Sequence, residues 1–100
     1  MYIKTLSLSE FEEYSEKHVY HNFHQSINYA LLKSEEGYEY EMIGYTDGEK
    51  LYAAALVLVQ MINGYLYAYV PEGFLIDYKN EELLNNFTKD LYNFYKKESI

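Results

Sequence analysis

The sequence predicts an α+β domain, a short antiparallel sheet with flanking helices, in the order β-α-α-β-β-β-α. Three observations predict it. Two dipeptides of hairpin type, Asp47-Gly48 and Asn63-Gly64, bracket the longest apolar run, Leu51 to Met61, as tight turns bracket the middle strand of a meander. Apolar residues recur at helical spacing from Leu83 to Tyr95, on a segment opened by Asn80 and two glutamates. The chain has 100 residues, 49% of them apolar, which supplies one continuous core and leaves no room for a second domain.

In chain order, Met1 to Thr5 reads as a short strand. Ser7 or Ser9 starts a helix, each with a glutamate three residues on, Glu10 or Glu12, in capping-box spacing. Leu8, Phe11 and Tyr14 or Ser15 mark its inward face, and it fades near His18. A second helix starts at Asn22, with Gln25 three residues on. Its apolar face is Ile27, Ala30 and Leu31, and Gly37 is its C′ residue. Tyr38 to Tyr45 has strand propensity. Leu51 to Met61 is apolar on both faces, hence a central strand covered on both sides. Tyr65 to Val70 alternates, with Tyr65, Tyr67 and Tyr69 on one face and Leu66, Ala68 and Val70 on the other. Pro71-Glu72-Gly73 breaks that strand, and Phe74 to Tyr78 reads as a connector. The last helix carries Leu83, Leu84, Phe87, Leu91, Phe94 and Tyr95 as its stripe, with Lys96 and Lys97 at its negative end.

Composition excludes several classes of function. The formal charge is −8, and all eight basic residues are lysine, so the basic patch of a nucleic-acid reader and the bidentate arginine fork are both absent. No cysteine is present, which removes thiol chemistry and cysteine zinc sites. The apolar run is too short to span a bilayer, and the first residues lack the apolar core of a secretory signal, so the expected location is cytoplasmic. No Ser or Thr has a base partner, and no catalytic residue is assigned. His18, His21 and His24 would share a helical sector only in a helix running unbroken through Asn22, where a cap falls. No carboxylate pair completes a site there, so no metal is expected. The loop Val70-Pro71-Glu72-Gly73-Phe74-Leu75 has one glycine, an acidic residue and a proline without an amide donor, which ill suits a CoA pyrophosphate. No cofactor is expected.

The fourteen tyrosines read first as amphipathic packing at a half-buried surface. At 100° per residue, Gln25, Ser26, Tyr29 and Lys33 fall within an arc of about 100°, opposite Ile27 and Leu31. Amides, hydroxyls and one cation on a single ridge suit a polar or phosphorylated ligand. An ordinary solvent-facing helix side has the same pattern.

A strand, two helices, a three-strand meander and a helix resemble the opening half of the GNAT acyltransferase fold. The residues narrow this further. Asn22-Phe23-His24-Gln25-Ser26-Ile27-Asn28-Tyr29-Ala30-Leu31-Leu32-Lys33 resembles the NF-x-QS-x-x-W-x-x-x-K segment of FemABX-type peptidoglycan aminoacyltransferases. His18 fits the histidine that often precedes that segment, Gly37-Tyr38 stands at its Gly-Trp, and Leu51 to Val59 resembles its apolar strand. Val70 to Tyr78 is similar to the A-P-R-G-P-x-x-D-Y loop, and Asn80 to Lys97 to the helix after it. Tyr29 replaces the Trp, Glu72 the loop Arg and Phe74 its Pro.

The resemblance implies an N-terminal FemABX subdomain over residues 1–100, with the family's second subdomain and helical arm absent. It implies transfer of amino acids from aminoacyl-tRNA to a peptidoglycan precursor for the interpeptide bridge, with this chain inactive alone. It further implies a precursor-binding set of Lys33, Asp77, Tyr29 and Gln25, with Lys33 on the precursor's phosphates and Asp77 lining the same cleft. The partners implied are a muropeptide and aminoacyl-tRNA. An alternative of another class is a free-standing acidic protein-interaction module without catalysis. Such a module would bind a protein, or a second copy of itself, through an open sheet edge and the Tyr65/Tyr67/Tyr69 face.

Overall fold

A single strand organises the molecule. In a computed structural model that describes residues 1–18, 25–71 and 73–98, β3 (Leu51–Ile62) pairs with strands on both sides, and Ala53 to Val59 are all buried. Alternate residues point to opposite faces, and each face has its own core. Ala53, Ala55, Val57 and Val59 pack with Phe87 and Leu91 of α3 (Glu81–Glu98). Ala54 and Leu56 pack with Phe11 of α1 (Leu8–Lys17) and Ala30 of α2 (Ile27–Glu35). The result is a sheet between two helices and one, an α+β fold with an antiparallel sheet, as expected. Three of the buried residues of β3 are alanines, Ala53, Ala54 and Ala55, small enough for a helix to pack close against the sheet.

The sheet runs β1 (Tyr2–Thr5), β2 (Glu39–Thr46), β3, β4 (Tyr65–Tyr69), every pair antiparallel. The expected connector after Pro71 contains a fifth strand, β5 (Leu75–Ile76), paired with Ala53 and Ala54 of β3. Nothing in the sequence marks it, because two residues cannot display alternation. The turn Asn63-Gly64 has φ of 53° and 82°, the geometry that favours this dipeptide in tight hairpins. Asp47-Gly48 opens a longer loop instead, since Thr46 pairs with Leu51. Asp47 Oδ1 accepts from the Glu49 and Lys50 amides, and Thr46 Oγ1 accepts from the Gly48 amide and donates to the Lys50 carbonyl.

The helix starts are partly as read. Ser7 caps α1 in a full capping box with Glu10, whose carboxyl is held below its ordinary pKa first by the Ser7 amide and then by Lys4. Leu8 is 45% exposed rather than inward, because the buried line of α1 runs through Phe11 and Ser15. Asn80 Oδ1 accepts from the Leu83 amide at the start of α3, and the expected stripe from Leu83 to Tyr95 packs on the sheet. Helix α2 begins at Ser26, whose Oγ accepts from the Tyr29 amide, not with an Asn22/Gln25 capping box. Asn22 itself lies outside the described residues. Only Ala30 of α2 is fully buried; Leu31 is 49% exposed, because the helix meets the sheet along the Ala30 line and Leu31 is turned 100° away.

Candidate functional site

The ridge expected along α2 divides at Ser26. Tyr29 and Lys33, four residues apart, do share a face. The Lys33 Nζ lies 5.6 Å from the centre of the Tyr29 ring and 5.4 Å from that of Tyr38, distances at which a ring face attracts an ammonium. Tyr38 arrives there through the end of the helix. Gly37, at φ 98°, is the C′ residue, the Gly37 amide donates to the Ser34 carbonyl, and the Tyr38 amide reaches back to the Lys33 carbonyl. These two bonds make a Schellman motif, which folds Tyr38 back over the last turn. Tyr38 in turn meets Tyr69 of β4 edge-on at 6.4 Å. Three tyrosines from a helix, its C-cap and an edge strand thus surround one lysine.

Lys33 is also paired. Its Nζ donates to Glu36 Oε1 at 3.3 Å, and that bond is the main cause of a pKa held above the ordinary lysine value. The Tyr69 hydroxyl is pushed up, first by burial and then by the neighbouring Tyr38 and Tyr29, while Lys33 pulls the other way. The arrangement can offer a cation and phenolic hydroxyls to an anion, at the cost of the Glu36 contact.

Asp77 follows β5, is exposed, and accepts from the Lys79 amide at 3.0 Å as the chain turns into α3. Its charge also reaches His18 at the end of α1, raising an imidazole pKa that burial lowers more strongly. Tyr69 stands opposite Leu58 and Ile76 opposite Ala53, and Asp77 lies one residue beyond Ile76, so Asp77 and Tyr69 are roughly 20 Å apart along β3. The structure does not bring Asp77 into contact with Lys33; it sets them at two ends of one sheet.

Gln25 is elsewhere from where the ridge put it. It is 0% exposed, in the core, with its amide bonded to backbone of Leu56 and Pro71. It precedes the helix, so the 100° projection did not apply to it. His21, His24 and Glu72 lie outside the described residues. Among the described residues no group of three or more His, Cys, Asp or Glu could hold a metal. Two of the concavities flank the sheet. One, of about 490 Å³, sits between α1 and the β2–β3 loop beside Tyr14 and His18. The other, of about 380 Å³, lies between β4 and α3 beside Val70 and Tyr92. Lys33 lines neither of these two, although Tyr69 of its tyrosine cluster borders the second. The sequence does not mark Tyr38 as a site residue, and marks Tyr69 only as part of the Tyr65/Tyr67/Tyr69 face. The signal for Tyr38 was present, since a C′ glycine places the next side chain over the helix end.

The FemAB family model matches residues 6–100. The chain belongs to the FemAB family. It is 31% identical over 99 residues to the aminoacyltransferase FemA of Staphylococcus aureus strain MW2, an alignment covering 97% of this chain and 24% of FemA. FemA of the S. aureus strain NCTC 8325 / PS 47 matches to the same extent. A crystal structure of FemX shares the fold with a TM-score of 0.82 at 22% identity, over 99% of this chain and 25% of that one. This FemAB-family chain therefore spans about a quarter of the length of the relatives it matches. Among its described residues no helix is long and apolar enough to cross a membrane.

Proposed function

We propose that the chain is the N-terminal, substrate-binding subdomain of a cytoplasmic FemABX-like aminoacyltransferase. The parent reaction moves an amino acid from the ester of aminoacyl-tRNA to an amine of a peptidoglycan precursor, forming an amide of the interpeptide bridge and releasing the tRNA hydroxyl. Membership in the FemAB family over residues 6–100, with its similarity to FemA, is the observation that carries this reading. The site chemistry agrees with it. Lys33, flanked by Tyr29, Tyr38 and Tyr69, takes the precursor's phosphates, and Asp77 lines the far end of the same face. One cation on an open surface holds a diphosphate weakly and in a salt-dependent way. The chain is expected to transfer nothing alone, since it spans about a quarter of the length of the relatives it matches.

Chemical-shift mapping with a UDP-linked muropeptide tests the reading. Perturbations are expected at Tyr29, Lys33, Tyr38 and Tyr69 and from Gly73 to Tyr78, smaller at high salt and lost in Lys33→Ala. Shifts absent from these residues, or indifferent to Lys33→Ala, would overturn the site.

A second reading, a free-standing acidic interaction module, draws support from β4. Among the described residues its outer edge has no partner strand, and Tyr65, Tyr67 and Tyr69 are 70%, 54% and 46% exposed. Such an edge accepts a strand from a protein or from a second copy of the chain. Sedimentation showing a strict monomer at high concentration, with fast exchange of the β4 amides, would sink it.

A further inference from the structure

Strands β4 and β5 both lie on the side of β3 away from β2, but they do not meet. β4 pairs with Leu58 to Ile62 and β5 with Ala53 and Ala54, leaving a gap in the sheet at Ala55 to Val57. Backbone groups in that gap are buried and need partners. The side chain of Gln25 supplies them. Its Oε1 accepts from the Leu56 amide at 2.7 Å, and its Nε2 donates to the Leu56 carbonyl at 3.2 Å. That reciprocal pair is what an opposing strand residue makes in an antiparallel ladder. The second Nε2 hydrogen goes to the Pro71 carbonyl at 2.9 Å, so the same amide also holds the end of the segment leaving β4. Gln25 is itself fixed from behind, because Ser15 Oγ of α1 donates to its carbonyl at 2.8 Å. Every one of these contacts is buried.

We propose that Gln25 is a positioning residue: its side-chain amide acts as a missing strand residue that joins the base of α2 to the loop leading from Pro71 to Asp77, and so sets the two ends of the precursor site relative to each other. The inference rests on the reading of Lys33 and Asp77 as those two ends. Gln25 is followed directly by Ser26, the cap of the helix carrying Tyr29 and Lys33. Pro71 precedes β5 and Asp77 by a few residues. Between these two segments the amide bridges through one residue of β3. An apolar side chain of similar length fills the space but leaves the Leu56 amide and two carbonyls without partners. A glutamate is isosteric, yet as a carboxylate it loses both donated bonds. Burial raises such a carboxyl's pKa, and once protonated it accepts from Leu56 and donates again to one carbonyl.

The test uses the whole 1–100 chain with Gln25→Met and Gln25→Glu, read by amide exchange and by titration with a UDP-linked muropeptide. In Gln25→Met, protection of the Leu56 amide, corrected for intrinsic exchange, falls about tenfold or more, as expected for losing one buried hydrogen bond. The resonances of Gly73 to Tyr78 shift, and the thermodynamic coupling between Lys33→Ala and Asp77→Asn disappears. In Gln25→Glu, Leu56 protection is low at neutral pH and recovers on acidification. If Gln25→Met does not fold, the acid recovery of Gln25→Glu decides alone. Unchanged Leu56 protection, no acid recovery, or retained coupling overturns the proposal. If Lys33→Ala leaves binding unchanged in the wild-type background, the site reading fails instead, while the exchange data still decide whether the amide bridges Leu56 and Pro71.

Discussion

The side-chain amide of Gln25 pairs with the backbone N–H and C=O of Leu56 as one strand residue pairs with another, both bonds exchanged within a fully buried gap of the sheet. The Gln25-Ser26 pair therefore divides its labour. The glutamine joins the sheet, and Ser26 caps the helix that presents Lys33.

Glu36 competes with any anion for Lys33. The contact is a surface pair, so its removal has a modest effect. Glu36→Gln is expected to tighten binding of a UDP-linked muropeptide about two- to threefold and to return the Lys33 pKa toward its ordinary value, measured by titration and by the lysine Cε resonance. Weaker binding in Glu36→Gln would mean that Glu36 orients Lys33 rather than masking it.

His18 titrates below the ordinary imidazole value because burial outweighs the attraction of Asp77. Between its folded pKa and its unfolded value of 6.5 the unfolded chain binds more protons. Its contribution to stability is thus present above that unfolded value and fades as the pH falls through the window. Asp77→Asn removes the opposing charge and should lower the His18 midpoint further, read from its ring proton shifts. A rise in that midpoint would contradict the attraction of Asp77 for the protonated ring.

Tyr45, on the opposite face, donates to Asp90 Oδ2 at 2.5 Å and is only 2% exposed. Burial, then the Asp90 bond and charge, push its hydroxyl up to about 12. Tyr45→Phe should cost about 1–2 kcal/mol in urea unfolding near neutral pH. A raised folded pKa means this advantage is full below the ordinary phenol value of 10 and is lost as the pH rises towards 12. The difference between wild type and Tyr45→Phe should therefore shrink in alkali; a constant difference would refute the linkage.

Gly73 sits at φ 86°, and an added Cβ would lie 2.9 Å from the Tyr78 hydroxyl, which donates to the Phe74 carbonyl. Gly73→Ala combines left-handed strain with displacement of that hydroxyl and should cost about 1–2 kcal/mol. Gly64→Ala is strained in backbone but meets nothing within 4 Å, so it isolates the backbone share. Equal losses in both variants would show that the Tyr78 contact adds nothing.

Much of the fold was legible because it is written in local codes. The central β3, the Asn63-Gly64 turn, the Ser7 box, the Gly37 cap and the α3 stripe each have a pattern of their own, and each stands where the sequence places it. What escaped depends on contacts between distant segments. β5 is defined only by its pairing with β3, and Gln25 only by Leu56 and Pro71, 31 and 46 residues further along the chain. For the site, Tyr29 and Lys33 share their face because they are one helical turn apart. Gln25 left it because the helix had not yet begun. Tyr69 was read as one of three exposed edge tyrosines, and its packing beside Tyr38 required knowing that β4 runs past the end of α2.

Strand β4 is pinned at both ends, by the Asn63-Gly64 turn at its start and by the hold of Gln25 on Pro71 just past its finish. A strand so anchored cannot slide by one residue, and such a slide is what would swing its tyrosines to the other face. Anything adding a strand to that edge therefore meets a template of fixed phase. A pairing out of step by one residue would set its own side chains against the α3 groove instead of the tyrosine row, so the edge can select a partner by phase before any side chain is matched.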